Sequence, residues 1–281
     1  MTLSAFITAH REAGLILVRV ERAEGSTPRE AGACMAVTAH ATMGTIGGGQ
    51  LEFHCIDIAR QMLSDGAGGQ SLDIPLGPQM GQCCGGRVRI SLTRLSAADA
   101  ALVAAREKAQ AEMRPAVFVF GAGHTGRVLA AALAPLPFRV CLIDDRDDVM
   151  GGLPPAVTCI RMADPVEAVA HGPAGAAFVV LTHSHALDYR LAEAALARGD
   201  ASYVGMIGSA TKRARFESGF LRSGGRQETL GRLTCPIGSC DVDDKRPEVI
   251  AALTAGELVR CLLGRKMEAS HEVALGVMDG R

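Results

Sequence analysis

The chain has 281 residues, 48% of them apolar and 4% aromatic with no tryptophan, and its formal net charge is −1. That length points to two domains with real cores, and the near-zero charge gives no electrostatic case for nucleic acid or an anionic membrane surface. The first ten residues lack a basic start followed by an apolar core, and no apolar run approaches the roughly 20 residues of a spanning helix. Nine cysteines without an export signal are expected to be reduced thiols in a soluble, cytoplasmic protein. Abundant Ala and Gly favour close helix-on-sheet packing.

Residues 15–20 form an apolar, β-favouring run and read as the first strand. Gly25-Ser-Thr-Pro-Arg29 is a turn, and residues 33–38 return as a second strand. Next comes Gly44-Thr-Ile-Gly-Gly-Gly49, leading into a helix with Leu51, Cys55, Ile58 and Met62 on one face. A glycine loop entering a helix presents unpaired N–H groups at the positive end of the helix dipole. Gly47, Gly48 and Gly49 are therefore a candidate seat for phosphate, with Arg29 as a second hold. The competing occupant is the carboxylate of Glu52 in the first helical turn.

Residues 71–75 are a short strand and residues 88–92 another, and the most unusual stretch lies between them: Gly81-Gln-Cys-Cys-Gly-Gly86, followed by Arg87. Neighbouring Cα atoms are about 3.8 Å apart, less than the roughly 4.4–6.8 Å of an unstrained disulfide. Cys83 and Cys84 are thus not expected to bridge each other. Glycines admit close approach of another molecule, and Arg87 favours thiolate over thiol. Gln82, Cys83, Cys84 and Gly85 suit a metal, a sulfur-bearing cofactor or a redox partner. The plainer reading is two small apolar residues in a tight turn. Residues 96–110 read as an Ala-rich helix capped by Ser96, and residues 106–114 as a charged linker.

The second unit opens on a buried strand at 116–120, then Gly121-Ala-Gly-His-Thr-Gly126, a helix at 127–133, and a strand at 138–143 ending on Asp144. This is the strand–GxGxxG–helix–strand–acid order of a dinucleotide-binding fold, with Asp144 lying 23 residues past Gly121. The same turn also serves helix–sheet packing without any nucleotide. Further βα pairs at 157–170, 177–197 and 203–220 extend a mostly parallel, doubly wound sheet. Its ligand end receives Thr182-His-Ser-His-Ala-Leu-Asp188 and the segment from Gly205 to Ser209, with Lys212 and Arg213 beyond. His183 and His185 have HxH spacing without a third ligand nearby, so hydrogen bonding to a ligand or to the loop is favoured over a metal. Asp188 reads as a helix cap. Ser209 and Lys212 read as a second anion site or, for Lys212 and Arg213, as a solvated helix face. Cys235-Pro-Ile-Gly238 is a fixed turn. Residues 245–263 are a final helix with Ile250, Leu253, Leu258 and Leu262 inward, and the tail from 265 shows little pattern.

Taken together, these segments resemble the XdhC/CoxI-type accessory proteins that mature molybdenum hydroxylases such as xanthine dehydrogenase. The matching residues are Gly25-Ser-Thr-Pro-Arg-Glu-Ala-Gly32 with Met35, Gly44 to Glu52, Gly81 to Gly86, Phe120 to Arg127, Thr182 to Asp188, Val204 to Ser209 with Lys212, and Cys235 to Gly238. The Gln-Cys-Cys-Gly-Gly form is closer to the xanthine dehydrogenase branch than to the carbon monoxide dehydrogenase branch. One departure is Ser239-Cys-Asp-Val-Asp-Asp244, where many relatives carry a small Gly-rich turn.

The resemblance implies an α/β chain in three parts: an N-terminal α/β domain with the thiol loop (1–112), a Rossmann-like domain (113–225) and a C-terminal turn and helix (226–281). It further implies a chaperone without turnover activity that binds molybdenum cofactor (molybdopterin) as cargo, keeps it sulfurated and inserts it into apo xanthine dehydrogenase. The implied partners are the molybdenum-binding subunit of that enzyme and a cysteine desulfurase, and a homodimer fits a small carrier. The phosphate of the pterin suits a glycine loop, and molybdenum with its dithiolene sulfurs suits Cys83 and Cys84. Ligation, sulfur relay and hydrogen bonding all stay open for these two. Gly121, Gly123, His124, Gly126 and Asp144 are the residues for a nucleotide, with His183, His185, Ser209 and Lys212 at the same sheet end. The alternatives are an NAD-dependent oxidoreductase using this turn, with NADP disfavoured by Asp144, and a thiol-based sulfur carrier acting through the N-terminal domain alone.

Overall fold

A computed structural model describes residues 1–77, 85–146, 149, 151–238 and 242–264. The chain divides into two compact units, Met1–Glu112 and the part from Met113 onward.

The first unit contains α1 (Leu3–Ala9), β1 (Ile16–Glu24), β2 (Cys34–Val37), β3 (Thr42–Gly44), α2 (Gly49–Asp65), β4 (Gly69–Pro75), β5 (Arg87–Arg94) and α3 (Ala97–Glu112). Its five strands form one antiparallel sheet in the order β3-β2-β1-β5-β4. Alternation along β1 and β5 sends Val18, Val20, Ile90 and Leu92 to one face, where α2 buries Leu51, Cys55, Ala59 and Met62 against them. Ala59 takes the central place expected of Ile58, which is only half-buried: the true stripe steps by four, four and three, placing the smaller residue where helix and sheet are closest. α1 and α3 cover part of the other face through Phe6, Ile7 and Val103 against Leu17 and Ala36.

α3 starts on a reciprocal cap, the Asp99 amide donating to Ser96 Oγ at 3.1 Å and the Ser96 amide to Asp99 Oδ2 at 3.1 Å. The helix runs through most of the stretch read as a linker, because its charged residues have partners. Arg106 donates to the Gly32 carbonyl at 2.9 Å, and Glu107 accepts from the Leu3 amide at 2.8 Å.

The second unit contains β6 (Ala116–Phe120), α4 (His124–Leu133), β7 (Arg139–Asp144), β8 (Val157–Arg161), α5 (Val166–His171), β9 (Ala177–Val180), α6 (His185–Ala197), β10 (Tyr203–Met206), α7 (Ala210–Arg222), α8 (Gln227–Leu230), β11 (Leu233–Thr234) and α9 (Pro247–Leu263). All six strands are parallel, in the order β11-β10-β9-β6-β7-β8. Counted from β6, this is the 3-2-1-4-5-6 order of the dinucleotide-binding fold. Strands such as Ala177–Val180 are buried along their whole length, as a sheet covered on both faces requires. One core lies under α5, α6 and α7, the other under α4 and α9.

Residues 226–264 belong to this unit, since β11 extends the sheet and α9 shares a core with α4. The inward stripe of α9 is Ala251, Thr254, Ala255 and Leu258; of the residues expected inward, Ile250, Leu253 and Leu262 are half-buried and only Leu258 is central. The Cys235–Pro236 bond is cis. The tail from 265 lies outside the described residues, and no helix among those described is long and apolar enough to cross a membrane.

Candidate functional site

In the first unit, three of the segments singled out above meet at one end of the sheet. Gly86 sits so close to the turn after β1 that a Cβ there would lie 2.4 Å from the Ser26 carbonyl oxygen and 2.7 Å from that of Glu24. Only glycine fits. The Leu76 amide donates to the Gly86 carbonyl at 2.8 Å, closing the base of the connection from β4 to β5. Gly85 is exposed, and its carbonyl oxygen lies 3.6 Å from where a Cβ on Gly25 would be. Gly47 is pressed against Pro28, whose Cγ would stand 2.5 Å from an added Cβ, with the exposed Arg29 alongside. The turn 25–29, the loop 44–49 and the root of the cysteine loop thus share one corner. Gln82, Cys83 and Cys84 themselves lie outside the described residues.

The glycine loop in that corner is already filled from within. Oε2 of Glu52 accepts from the Thr45 hydroxyl at 2.6 Å, the Gly48 amide at 3.0 Å and the Ile46 amide at 3.1 Å. The Gly47 amide donates to Thr45 Oγ1 at 3.1 Å. Burial opposes the charge on Glu52, but the Thr45 hydroxyl and the loop amides outweigh it and hold the carboxyl below its ordinary value. An outside anion at Gly47–Gly49 has to displace a side chain of this chain. Of the described thiols, those of Cys141, Cys235 and Cys261 are pushed up by burial, and that of Cys55 rises to about 12 for the same reason. Such thiols are poor nucleophiles and poor metal ligands at neutral pH.

In the second unit the switch point falls between β6 and β9, where Leu181 donates to the Phe120 carbonyl at 2.9 Å. Gly121, with φ +109°, lies so close to β9 that a Cβ would meet the Leu181 carbonyl oxygen at 2.3 Å. A Cβ on Gly126 would stand 1.8 Å from the Gly121 carbonyl oxygen. These two glycines are required by packing. Gly123 is different: it caps α4 with φ −69° and has open space where a Cβ would go. His124, the first residue of α4, is exposed.

Asp144 is buried at the end of β7. Its Oδ2 accepts from the Ala122 amide at 2.6 Å and from Arg146 at 3.0 Å, and its Oδ1 from the Arg146 amide and guanidinium at 3.0 and 2.8 Å. Burial opposes its charge, yet the Arg146 guanidinium and the two amides hold it well below the usual carboxylate range. The acid expected to meet a ribose therefore stitches the glycine turn to the sheet, and the sequence pattern did not disclose Arg146 as its partner.

The loop after β9 holds a second buried carboxylate. Asp188 accepts from the Thr182 amide at 2.9 Å and hydroxyl at 2.8 Å, and pairs with Lys212 Nζ at 2.5 Å. Lys212 also donates to the Ile207 carbonyl at 2.9 Å. The pair is buried, so its desolvation has to be offset by these bonds, and removing either partner alone leaves an uncompensated charge. Two expectations change accordingly. Ser184, whose Oγ accepts from the Leu187 amide, caps α6 in place of Asp188. Lys212 is no solvated residue, since its stem lies against Gly208, and its charge is neutralised internally. Ser209 caps α7, accepting from the Lys212 amide at 3.2 Å, and Arg213 binds Glu217 at 2.7 Å and the Cys235 carbonyl at 3.0 Å. His183 is exposed on the loop and His185 is exposed as the first residue of α6. Among the described residues no three His, Cys, Asp or Glu side chains converge as metal ligands.

Known proteins match this architecture. The model of the XdhC Rossmann domain matches residues 117–258, and that of the XdhC and CoxI family residues 9–73. The uncharacterized protein YqeB of Escherichia coli K12 is 23% identical over 256 residues, 87% of this chain but 43% of its own length. The chain thus spans under half of that relative. A protein of Bacillus halodurans, solved under the name xanthine dehydrogenase, superposes with a TM-score of 0.75 over 96% of this chain and 98% of its own at 15% identity, a likeness of fold. With more than half of its length matched in the order its motifs occur, the chain belongs to the XdhC family.

Proposed function

We propose that this chain is an accessory protein in xanthine dehydrogenase maturation, binding molybdenum cofactor as cargo, protecting its terminal sulfur and inserting it into the apoenzyme. The observation that carries the reading is the shared corner of the first unit, where the turn 25–29 and the loop 44–49 brace the root of the Cys83–Cys84 loop. Soft sulfur carried by a braced root suits a molybdenum–dithiolene group, with Cys83 and Cys84 as the sulfur ligands or relay. The role is that of a carrier, with no turnover of its own. Its partners are the molybdenum-binding subunit of the target enzyme and a cysteine desulfurase, its compartment is the cytoplasm, and a homodimer is its working form.

A transfer assay tests this. Cofactor-loaded chain is incubated with apo xanthine dehydrogenase, and hydroxylase activity is followed. The parent is expected to restore activity and the Cys83→Ala/Cys84→Ala variant to fail. Equal transfer by the folded variant contradicts the assignment.

One observation favours a second ligand. Packing accounts for Gly121 and Gly126 but not for Gly123, whose open side is where a pyrophosphate approaches such a turn. A dinucleotide bound there, with His124, His183, His185, Ser209 and Lys212 around the same sheet end, is read out by titrating NAD(H). Absence of saturable binding removes it, together with the oxidoreductase alternative.

A further inference from the structure

The sheet face opposite α2 is covered by α1 and α3 only around Leu17 and Ala36. Beyond the bulge between Val20 and Arg22, the same face carries charges. Register sets Arg22 opposite Arg89, Arg89 opposite Asp73, and Glu24 opposite Arg87. These five side chains line a cavity of about 190 Å³. Since a water takes about 30 Å³ of liquid, the cavity has room for a small oxyanion.

Like charges directly opposite each other on neighbouring strands are destabilising, and Arg22 and Arg89 are such a pair. Glu24 and Asp73 offset the three guanidiniums only in part. Arg22 Nε binds Glu24 at 2.6 Å, Arg87 Nε binds Asp73 at 2.6 Å, and Arg89 approaches Asp73 at 3.6 Å. The first two contacts hold Arg22 and Arg87 through Nε, and Arg89 meets Asp73 through a terminal nitrogen. The terminal NH2 groups of Arg22 and Arg87 have no hydrogen-bond partner among the described residues and are left to the open side, the side chains being 67% and 56% exposed. Planar forks so held suit bidentate recognition of a phosphate.

We propose that the cavity of Arg22, Arg87 and Arg89 binds a phosphate monoester and, resting on the function proposed above, that this ester is the phosphate of the pterin cargo. The placement fits the rest of the unit. Arg87 follows Gly86, where the cysteine-bearing connection re-enters β5, whereas the glycine loop that would otherwise take a phosphate is filled by Glu52.

The test titrates inorganic phosphate and then glycerol 3-phosphate into the full chain at low salt, followed by 31P NMR. The parent is compared with Arg22→Gln/Arg89→Gln and with Asp73→Asn, all confirmed folded by circular dichroism. Saturable binding of the ester is expected, weakened at least about tenfold in the double variant. Asp73→Asn removes a carboxylate that competes for the same guanidiniums and is expected to tighten binding several-fold. Equal binding by parent and double variant, no tightening in Asp73→Asn, or binding of inorganic phosphate with exclusion of the ester each overturns the site. Cofactor capture by the same variants separates the two readings. Lost phosphate binding with undiminished capture overturns the cargo assignment and leaves the proposed function standing. Phosphate binding by a parent that captures no cofactor supports the cavity and overturns that function.

Discussion

The two glycine turns of this protein look alike on paper and differ in what occupies them. Each leads from a strand into a helix with glycines spaced to expose backbone amides. In the first unit, Glu52 reaches back from the first turn of α2 and takes the amides of Ile46 and Gly48. In the second, α4 opens with His124, Thr125 and Gly126, none of which is acidic, and the space over Gly123 is open. The glycines admit close approach. The side chain of the first helical turn fills the first loop, whereas the second turn gives only its Ala122 amide to an internal carboxylate, that of Asp144, and keeps the space over Gly123 open.

The largest effects are expected where a group is buried with a single charged partner. Lys212→Met removes the only cation beside the buried Asp188 carboxylate among the described residues and is expected to cost about 3–5 kcal/mol, read as a shift in urea midpoint of the second unit. Replacing Asp188 by Asn in the same chain is expected to recover part of that loss. Gly126→Ala drives a Cβ into the Gly121 carbonyl and is expected to cost about 3 kcal/mol, the upper end for overpacking. Glu52→Ala strips the acceptor from the first turn and is expected to cost about 2 kcal/mol in the first unit. Because the folded-state pKa of Glu52 is lowered, its contribution is present above its ordinary value of 4.5 and is lost as pH falls below it. Glu52→Gln is therefore expected to flatten acid unfolding of that unit. Gly123→Ala is expected to change stability by less than about 0.5 kcal/mol; a larger loss means that packing, and not a ligand, claims that glycine.

Much of this was readable in the residues. The runs at 116–120 and 138–143 with Asp144 at their end gave the parallel sheet, and the motif order gave the family. What escaped has physical causes. β11 has only two residues and α8 four, too short for any period, and both form by adding to an existing sheet edge and core. Lys212 and Asp188 stand far apart in sequence, so neither could be known as buried until α6 and α7 lay side by side. The nearest local hint was Gly208, which leaves room for the lysine stem. The arginines of β5 were visible as the polar half of an alternation. Their meeting with Arg22 and Asp73 depends on strand register, which no single segment encodes.

Cargo held by the first unit is the central proposal, and the most direct measurement is of that cargo. Full-length protein purified without oxidant from a molybdenum-replete host is assayed for bound pterin and molybdenum together, beside Cys83→Ala. Pterin and molybdenum in equal amounts approaching one per chain, reduced in the variant, are the predicted result. A folded parent carrying neither, under conditions where the host's own hydroxylases are loaded, would contradict it.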